Sequence, residues 1–444
     1  MQDNSPGKPQ KGLKFILRAL RHRNYRLFFG GQGISLIGTW MTRVATGWLV
    51  YRLTKSAFLL GIVSFSGQIP TFILAPIAGV LVDRWNRHRV LVVTQVLAMV
   101  QSFAMATLAL SGVIQVWHIV ALNLFQGLIN TVDMPARQSF LIEMIEEKED
   151  LSNAIALNSS MFNGARLIGP SIAGILIAWT GEGICFLADG ISYIAVIIAL
   201  LAMTIKPRDL TTQHRKVLHG LKEGFNYAFG FMPIRAILFM IALVSLVGFP
   251  YLILMPIFAK DILHGGPHTM GFLMGATGLG ALCGALFLAS RKSVVGLGRI
   301  LALSTTIFGI GIILFSLSRN LWLSLPLLLF TGFGMMVQMA CANTLIQTMV
   351  EDDKRGRVMS FYSMAFMGVA PFGSLLAGTL ASRIGAPATN IIGGAICIVG
   401  AAIFARNLPA LRKLVHPIYV RMGIIPEIAS GLQSESGLTN LEGE

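Results

Sequence analysis

Charge is what this chain has least of. Only 12% of its 444 residues are Asp, Glu, Lys or Arg, against 54% hydrophobic residues, and the mean hydropathy is +0.70. A soluble domain carries about a quarter charged residues, so the chain has half the ions needed to cover a watery surface, and lipid must cover the remainder. An ordinary soluble protein is thereby excluded. The apolar content also excludes a disordered or collagen-like chain, because the 47 glycines and 17 prolines lie scattered through hydrophobic runs.

Cysteine is sparse too. Cys185, Cys283, Cys341 and Cys397 sit in apolar stretches without C-x-x-C spacing, so they read as small buried hydrophobes, with neither a disulfide framework nor a metal site expected. No G-x-x-x-x-G-K-[ST] phosphate loop occurs, which argues against an ATP-driven pump in one chain. The glycines from Gly278 to Gly284 fall inside a hydrophobic run, out of the strand–helix context of a dinucleotide site. H-E-x-x-H and G-x-S-x-G are absent and the loops are too short for a catalytic domain. Neither an enzyme nor a cofactor is expected. The first 23 residues are basic and polar, without the apolar core of a removable signal peptide.

What is present is long apolar runs. About twelve are of spanning length, roughly 20 residues each, over 25–50, 59–82, 90–111, 117–136, 153–179, 184–204, 234–259, 269–290, 299–318, 321–347, 358–381 and 387–406. Of the 35 Lys and Arg residues, 28 fall in the loops and ends on the side of the termini and five on the opposite side. Lys and Arg are retained on the cytoplasmic face, so both termini are expected in the cytoplasm, in a multi-pass protein of the inner or plasma membrane. The net charge of +15 then records topology and contact with membrane lipids rather than nucleic acid. The expected organisation is a cytoplasmic segment 1–24, a six-helix bundle 25–204, a cytoplasmic linker 205–233, a second bundle 234–406 and a cytoplasmic tail 407–444. In the linker, Leu218, Leu221, Phe225 and Phe229 form one face of a surface helix. The tail reads as disordered, or as an interaction segment.

A repeat supports the division. A shift of 204 residues pairs Glu147 with Glu351, Ser159 with Ser363, Phe162 with Phe366, Gly164 with Gly368, Gly169 with Gly373, Ala173 with Ala377 and Gly174 with Gly378. Duplicated bundles with substrate between them are a transporter plan, though composition alone also allows a channel or a polytopic enzyme.

Between spans two and three stands Gly79-Val80-Leu81-Val82-Asp83-Arg84-Trp85-Asn86-Arg87-His88-Arg89. It resembles the signature loop of the major facilitator superfamily, G-x-L-x-D-R-x-G-R-[KR]-x, with Asn86 at a usual glycine, where Asn tolerates a left-handed turn. The resemblance implies an all-α protein of twelve helices in two pseudo-symmetric bundles around a central cavity. It further implies a charge latch on the cytoplasmic face: Asp83 against the start of span eleven near Val358, Arg87 paired with Asp133, and Arg84, Arg89 and Arg137 beside them. The plainer reading is that these charges only fix topology. The second half has no Asp at the matching loop after Gly284, so only the first would carry the full latch.

Span five contains Ala165-Arg166-Leu167-Ile168-Gly169-Pro170-Ser171-Ile172-Ala173-Gly174. This run resembles the superfamily's antiporter motif, G-x8-G-x3-G-P-x2-G-G, with alanine at positions 156, 165 and 173. With Asp133-Met134-Pro135-Ala136-Arg137 it is similar to the drug:proton antiporter branch, which holds macrolide efflux pumps, the enterobactin exporter and lysophospholipid transporters. Many members place an Arg early in span four where this chain has Asn123, which removes one support for proton coupling. The motif is otherwise ordinary small-residue packing in a membrane helix.

Ions inside spans cost about 2.5–3.5 kcal/mol each, so Arg43, Arg166 and Asp189 need a reason. At 1.5 Å per residue, Arg43 lies about 27 Å along span one, Arg166 about 20 Å along span five and Asp189 about 8 Å from the outer end of span six. The plain expectation is an Arg166–Asp189 ion pair. The sharper one is a proton carried by Asp189 while Arg43 or Arg166 attracts an anionic group. Gln126, Asn130 and Asn163 are further polar candidates, and Trp40, Met335, Met336, Met339 and Met364 are candidates to line a cavity for an amphipathic ligand. The expected function is export of an amphipathic small molecule by a monomer in exchange for protons. A lipid facilitator without obligatory proton coupling and a transport-dead receptor or scaffold are the alternatives.

Overall fold

The computed structural model describes residues 17–204, 225–291 and 293–422, without the side chains of Ala75, Pro76, Gly79, Val80, Asp83, Lys148, Asp352 and Asp353. Among the described residues the regular structure is entirely helical. Lipid offers the backbone no hydrogen bonds, so each apolar run must satisfy its own N–H and C=O groups as a helix. In chain order these are α1 (Arg23–Thr54), α2 (Ala57–Arg84), α3 (Arg87–Leu110), α4 (Val116–Glu143), α5 (Leu151–Thr180) and α6 (Glu182–Leu201). Then follow α7 (Met232–Ile262), α8 (Pro267–Ala289), α9 (Leu297–Leu317), α10 (Leu321–Met349), α11 (Lys354–Ile384) and α12 (Ala386–Arg421). Ten of these helices are long and apolar enough to cross a membrane. The others, α1 and α4, are 32 and 28 residues long and carry the polar and charged residues discussed below.

Successive helices run antiparallel, giving a basic face, with the loops before α1, α3 and α5, and a far face opposite. Trp117, Trp179 and Trp322, exposed by 62%, 81% and 80%, all stand at far-face helix ends, where an indole sits best at the level of the lipid headgroups.

Two helices are irregular. In α7 a π turn at Val244–Gly248 runs into a 3₁₀ turn at Phe249–Leu252, and in α11 a π turn occupies Met364–Gly368. Pro250 and Pro371 lie just beyond, and each removes an N–H that the preceding turn would have bonded. The two π turns meet: Ser245 Oγ donates to the Phe366 carbonyl at 2.5 Å, and Phe249 and Phe366 contact edge-to-face at 5.0 Å.

The 204-residue repeat reappears in the packing. The turns after α5 and α11 are made by Gly181 and Gly385, at φ of 83° and 84°, left-handed values that favour glycine. Gly169 of α5 lies against Trp40 and Ile37 of α1, and its counterpart Gly373 of α11 lies against Leu246 and Ser245 of α7. A methyl group on Gly174 would stand 2.9 Å from the Cα of Gly271 in α8, and one on Gly378 would stand 2.9 Å from the Cα of Gly61 in α2. These two crossings join the part before residue 205 to the part after 224.

Leu218 and Leu221 of the expected linker helix lie outside the described residues. Phe225 and Phe229 stack at 4.5 Å and turn their edges to Phe361 at the start of α11, so this end of the linker packs on protein. The last helix continues to Arg421, past the end expected near 406.

Candidate functional site

The close approaches between the two parts begin at the far face and end near mid-depth. On one side α5 and α8 touch from Gly174–Gly271 to Leu167–Gly278. On the other, α2 and α11 touch from Gly61–Gly378 to Phe72–Gly368, bridged by Ser64 Oγ to Ser374 Oγ at 3.1 Å and by Phe372 against Phe65 and Phe72. Between them α1 meets α7, where the Tyr51 hydroxyl bonds to the Asp261 carboxylate and Lys260 approaches the Trp48 ring at 6.0 Å. Toward the basic face, polar side chains stand on the long helices: Asn130 on α4, bonded by Gln126, and Gln347 on α10 are exposed, and Asn163 on α5 and Asn343 on α10 are half-buried. Amides avoid lipid, so these side chains mark a polar strip on the basic-face side of the contacts between the two parts.

A cluster of charged and aromatic side chains is built on Trp40. Arg43, one helical turn further along α1, has its guanidinium 4.7 Å from the centre of the indole ring. Gly169 lets α5 pack directly on Trp40, so Arg166, one turn earlier on α5, comes to 5.7 Å from the same ring. Phe162 adds an edge-to-face contact at 5.8 Å, and Arg166 Nη2 reaches Met335 Sδ of α10 at 3.4 Å. Trp40 and Met335 are buried, whereas Arg43 is exposed although it lies well inside α1.

Asp189 is elsewhere. It is 2% exposed among α1, α3 and α6, where Oδ2 accepts hydrogen bonds from Thr42 at 2.9 Å and Ser102 at 3.0 Å while Oδ1 has no partner. Gly38 makes room for it: a methyl group there would lie 2.7 Å from Oδ1. The expected Arg166–Asp189 ion pair therefore does not form. The aromatic ring and sulfur hold Arg166, and hydroxyls hold Asp189.

The latch also differs from expectation. Arg87 pairs with Glu143 at the end of α4, at 2.7 Å, while Asp133 accepts hydrogen bonds from Thr94 and Gln95 at 2.8 Å each and pairs with Arg137 one turn away. Asp133 sits too deep for Arg87, which starts α3 at the basic face, and Glu143 is the acid at its level. Asn86 adopts φ −68°, so no left-handed turn exists there; it caps α3, its side chain accepting the Arg89 N–H at 3.0 Å. Arg84 and Arg89 are exposed, and the side chains of Gly79 and Asp83 lie outside the description.

The motif of α5 faces two partners, with Ala165, Gly169, Pro170, Ala173 and Gly174 all buried between α1 and α8. The methionines divide: Met335 is buried under Arg166, Met336 and Met339 are half-buried, and Met364 is 49% exposed in the π turn. Sequence reasoning missed Glu143, Tyr51, Asp261 and Asp150. Asp150 is the hub of the basic face: it binds Arg18 at 3.0 Å, Arg21 at 2.8 Å and His22 at 3.0 Å.

Comparison with known proteins bears on this architecture. The chain is 27% identical to the staphyloferrin A transporter of Staphylococcus aureus, over 84% of this chain and 94% of that protein. It is 26% identical to the multidrug efflux pump Tap of Mycolicibacterium fortuitum, over 85% and 93%. Among solved structures, a bacterial homologue of the human lysosomal transporter Spinster, in its inward-facing and unoccupied conformation, superposes with a TM-score of 0.68 at 12% identity, over 91% of this chain and 99% of that one. Residues 16–439 match the family described as transmembrane secretion effector, and the chain belongs to this family of major facilitator transporters, as an integral membrane protein that crosses the bilayer many times.

Proposed function

We propose that the chain is a twelve-span secondary transporter, two six-helix bundles around a recess at Trp40, that exports an amphipathic small molecule from the cytoplasm by alternating access in exchange for protons. The observation that carries this reading is the cluster of Arg43, Arg166, Trp40 and Phe162, set on the basic-face side of the contacts that join the two parts. Glycine crossings at α5–α8 and α2–α11 let the bundles rock about the recess, and opening the far side means parting Tyr51 from Asp261. The excess of Lys and Arg in the loops on the termini side supports a cytoplasmic basic face, and the likeness to a multidrug efflux pump and a staphyloferrin A transporter supports export. Asp189 is the proton carrier in this reading, because burial with one unbonded oxygen disfavours a permanent charge.

The test is proton movement in proteoliposomes holding a pH dye, challenged with a macrolide, a catecholate siderophore and a lysophospholipid. Substrate-dependent pH change is expected for at least one compound in the wild type and is expected to vanish in Asp189→Asn, which keeps shape and removes the titrating group. Compound movement without any pH change overturns the antiport reading.

A further inference from the structure

The cluster at Trp40 holds two cations and no anion. Neither Arg43 nor Arg166 forms an ion pair among the described residues, and the acids closest in depth are committed elsewhere: Asp189 to Thr42 and Ser102, Asp133 to Arg137 and Asp261 to Tyr51. Arg166 has a methionine sulfur as its hydrogen-bond partner, a weak acceptor. Both guanidiniums lean on the single indole of Trp40, 4.7 and 5.7 Å from its centre. A π face attracts a cation, but it does not neutralise one. Two like charges held together at membrane depth are costly, and a protein that needed them only for packing would supply a carboxylate.

Access completes the argument. Arg43 is exposed although it lies about two thirds of the way along α1: about 16 Å of helix separate it from Thr54 at 1.5 Å per residue. Its charge is therefore accessible, on the basic-face side of the α1–α7 and α5–α8 contacts. The guanidinium fork matches the two oxygens of a carboxylate or phosphate, and Trp40 and Phe162 give an apolar wall directly beside it.

We propose that Arg43 and Arg166 form an oxyanion-binding site, so that the substrate carries a carboxylate or phosphate group on an apolar body that lies against Trp40 and Phe162. On binding, the oxyanion takes the Arg166 fork from Met335 of α10, which ties occupancy of the site to a contact between the two bundles. The inference rests on the recess being the transport site, but its test is a binding measurement that needs no gradient.

Calorimetry on the purified full-length protein in lipid nanodiscs compares 1-naphthoate and 1-naphthyl phosphate with the neutral 1-naphthamide. The two anions are expected to bind at least about tenfold more tightly than the amide in the wild type, as charge-assisted bonds exceed neutral ones. Arg43→Gln and Arg166→Gln are each expected to remove that preference by weakening the two anions by about tenfold relative to the amide, with Arg→Lys at either site retaining part of it. Equal affinity of anion and amide in the wild type overturns the proposal without reliance on any variant, as does a preference that survives both glutamine substitutions. Competition by lysophosphatidate against naphthoate assigns the oxyanion to a lipid headgroup, and its absence assigns it to a soluble acid; both keep the site. Anion binding without proton flux overturns antiport and leaves the site standing. Proton-coupled transport of neutral compounds, with no anion bound, does the reverse.

Discussion

Asp150 shows how one carboxylate organises a membrane face. Burial raises its pKa, but the hydrogen bond from His22 and the charges of Arg21 and Arg18 outweigh that and hold it below the ordinary value of 3.8. A carboxyl whose pKa is lowered on folding stabilises the fold above its unfolded pKa, and that contribution is lost as the pH falls through the folded value. The anchoring of residues 18–22 on the start of α5 is therefore expected to hold from neutral pH down to about pH 4 and to fail only in stronger acid. Hydrogen exchange of this segment, corrected for intrinsic rate, follows it directly, and Asp150→Asn is expected to raise exchange already at pH 7. Little of this was legible in the sequence, where Asp150 is one acid in an acidic loop. What was legible at this scale were residues made conspicuous by their surroundings: Arg43, Arg166 and Asp189 stand out as ions in apolar runs. Their partners were not, because a ring, a sulfur or a hydroxyl that satisfies an ion looks like any other residue of a membrane helix.

The paired π turns of α7 and α11 belong to the scale of elements. Each leaves carbonyls that its own helix does not use, and Ser245 Oγ supplies a donor to one of them, on Phe366. Ser245→Ala is expected to cost about 1 kcal/mol, the net worth of one buried hydrogen bond, and to lower the melting temperature by a few degrees without changing substrate affinity; thermal unfolding in detergent beside a binding isotherm separates the two effects. The helices themselves were readable from apolar runs, and their ends from glycine and from the basic loops. The π turns were not, since a proline announces a break but not whether the helix will kink, tighten or widen. Asn86 makes the same point in a loop: the motif suggested a left-handed turn, but a helix cap satisfies the same residue with ordinary backbone.

At the scale of the whole molecule, the repeat of 204 residues became two equivalent crossings, Gly174 on Gly271 and Gly378 on Gly61. Gly378→Val would drive methyl groups into the backbone of α2, and overpacking of this kind costs about 1–3 kcal/mol. The expected result is a far face that no longer closes fully: a cysteine placed at Gly47, in a background without the four native cysteines, should react faster with an impermeant maleimide from outside than it does with Gly378 intact. Unchanged labelling would show that the crossing does not hold the seal. The pairing of halves was visible as matched small residues in the sequence, but not that each glycine would find its partner in the opposite half.

The indoles of Trp117, Trp179 and Trp322 add a mechanical consequence. All three grip the bilayer at the far-face level, on α4, α5 and α10, so helices of both halves are moored to the same leaflet. The proposed rocking motion would tilt those moorings against the membrane, storing elastic work in the lipid. Turnover should accordingly pass through a maximum as acyl chains are lengthened, with the optimum moving to other chain lengths once the indoles are replaced by alanine; in the proposed cycle the bilayer would act as a spring.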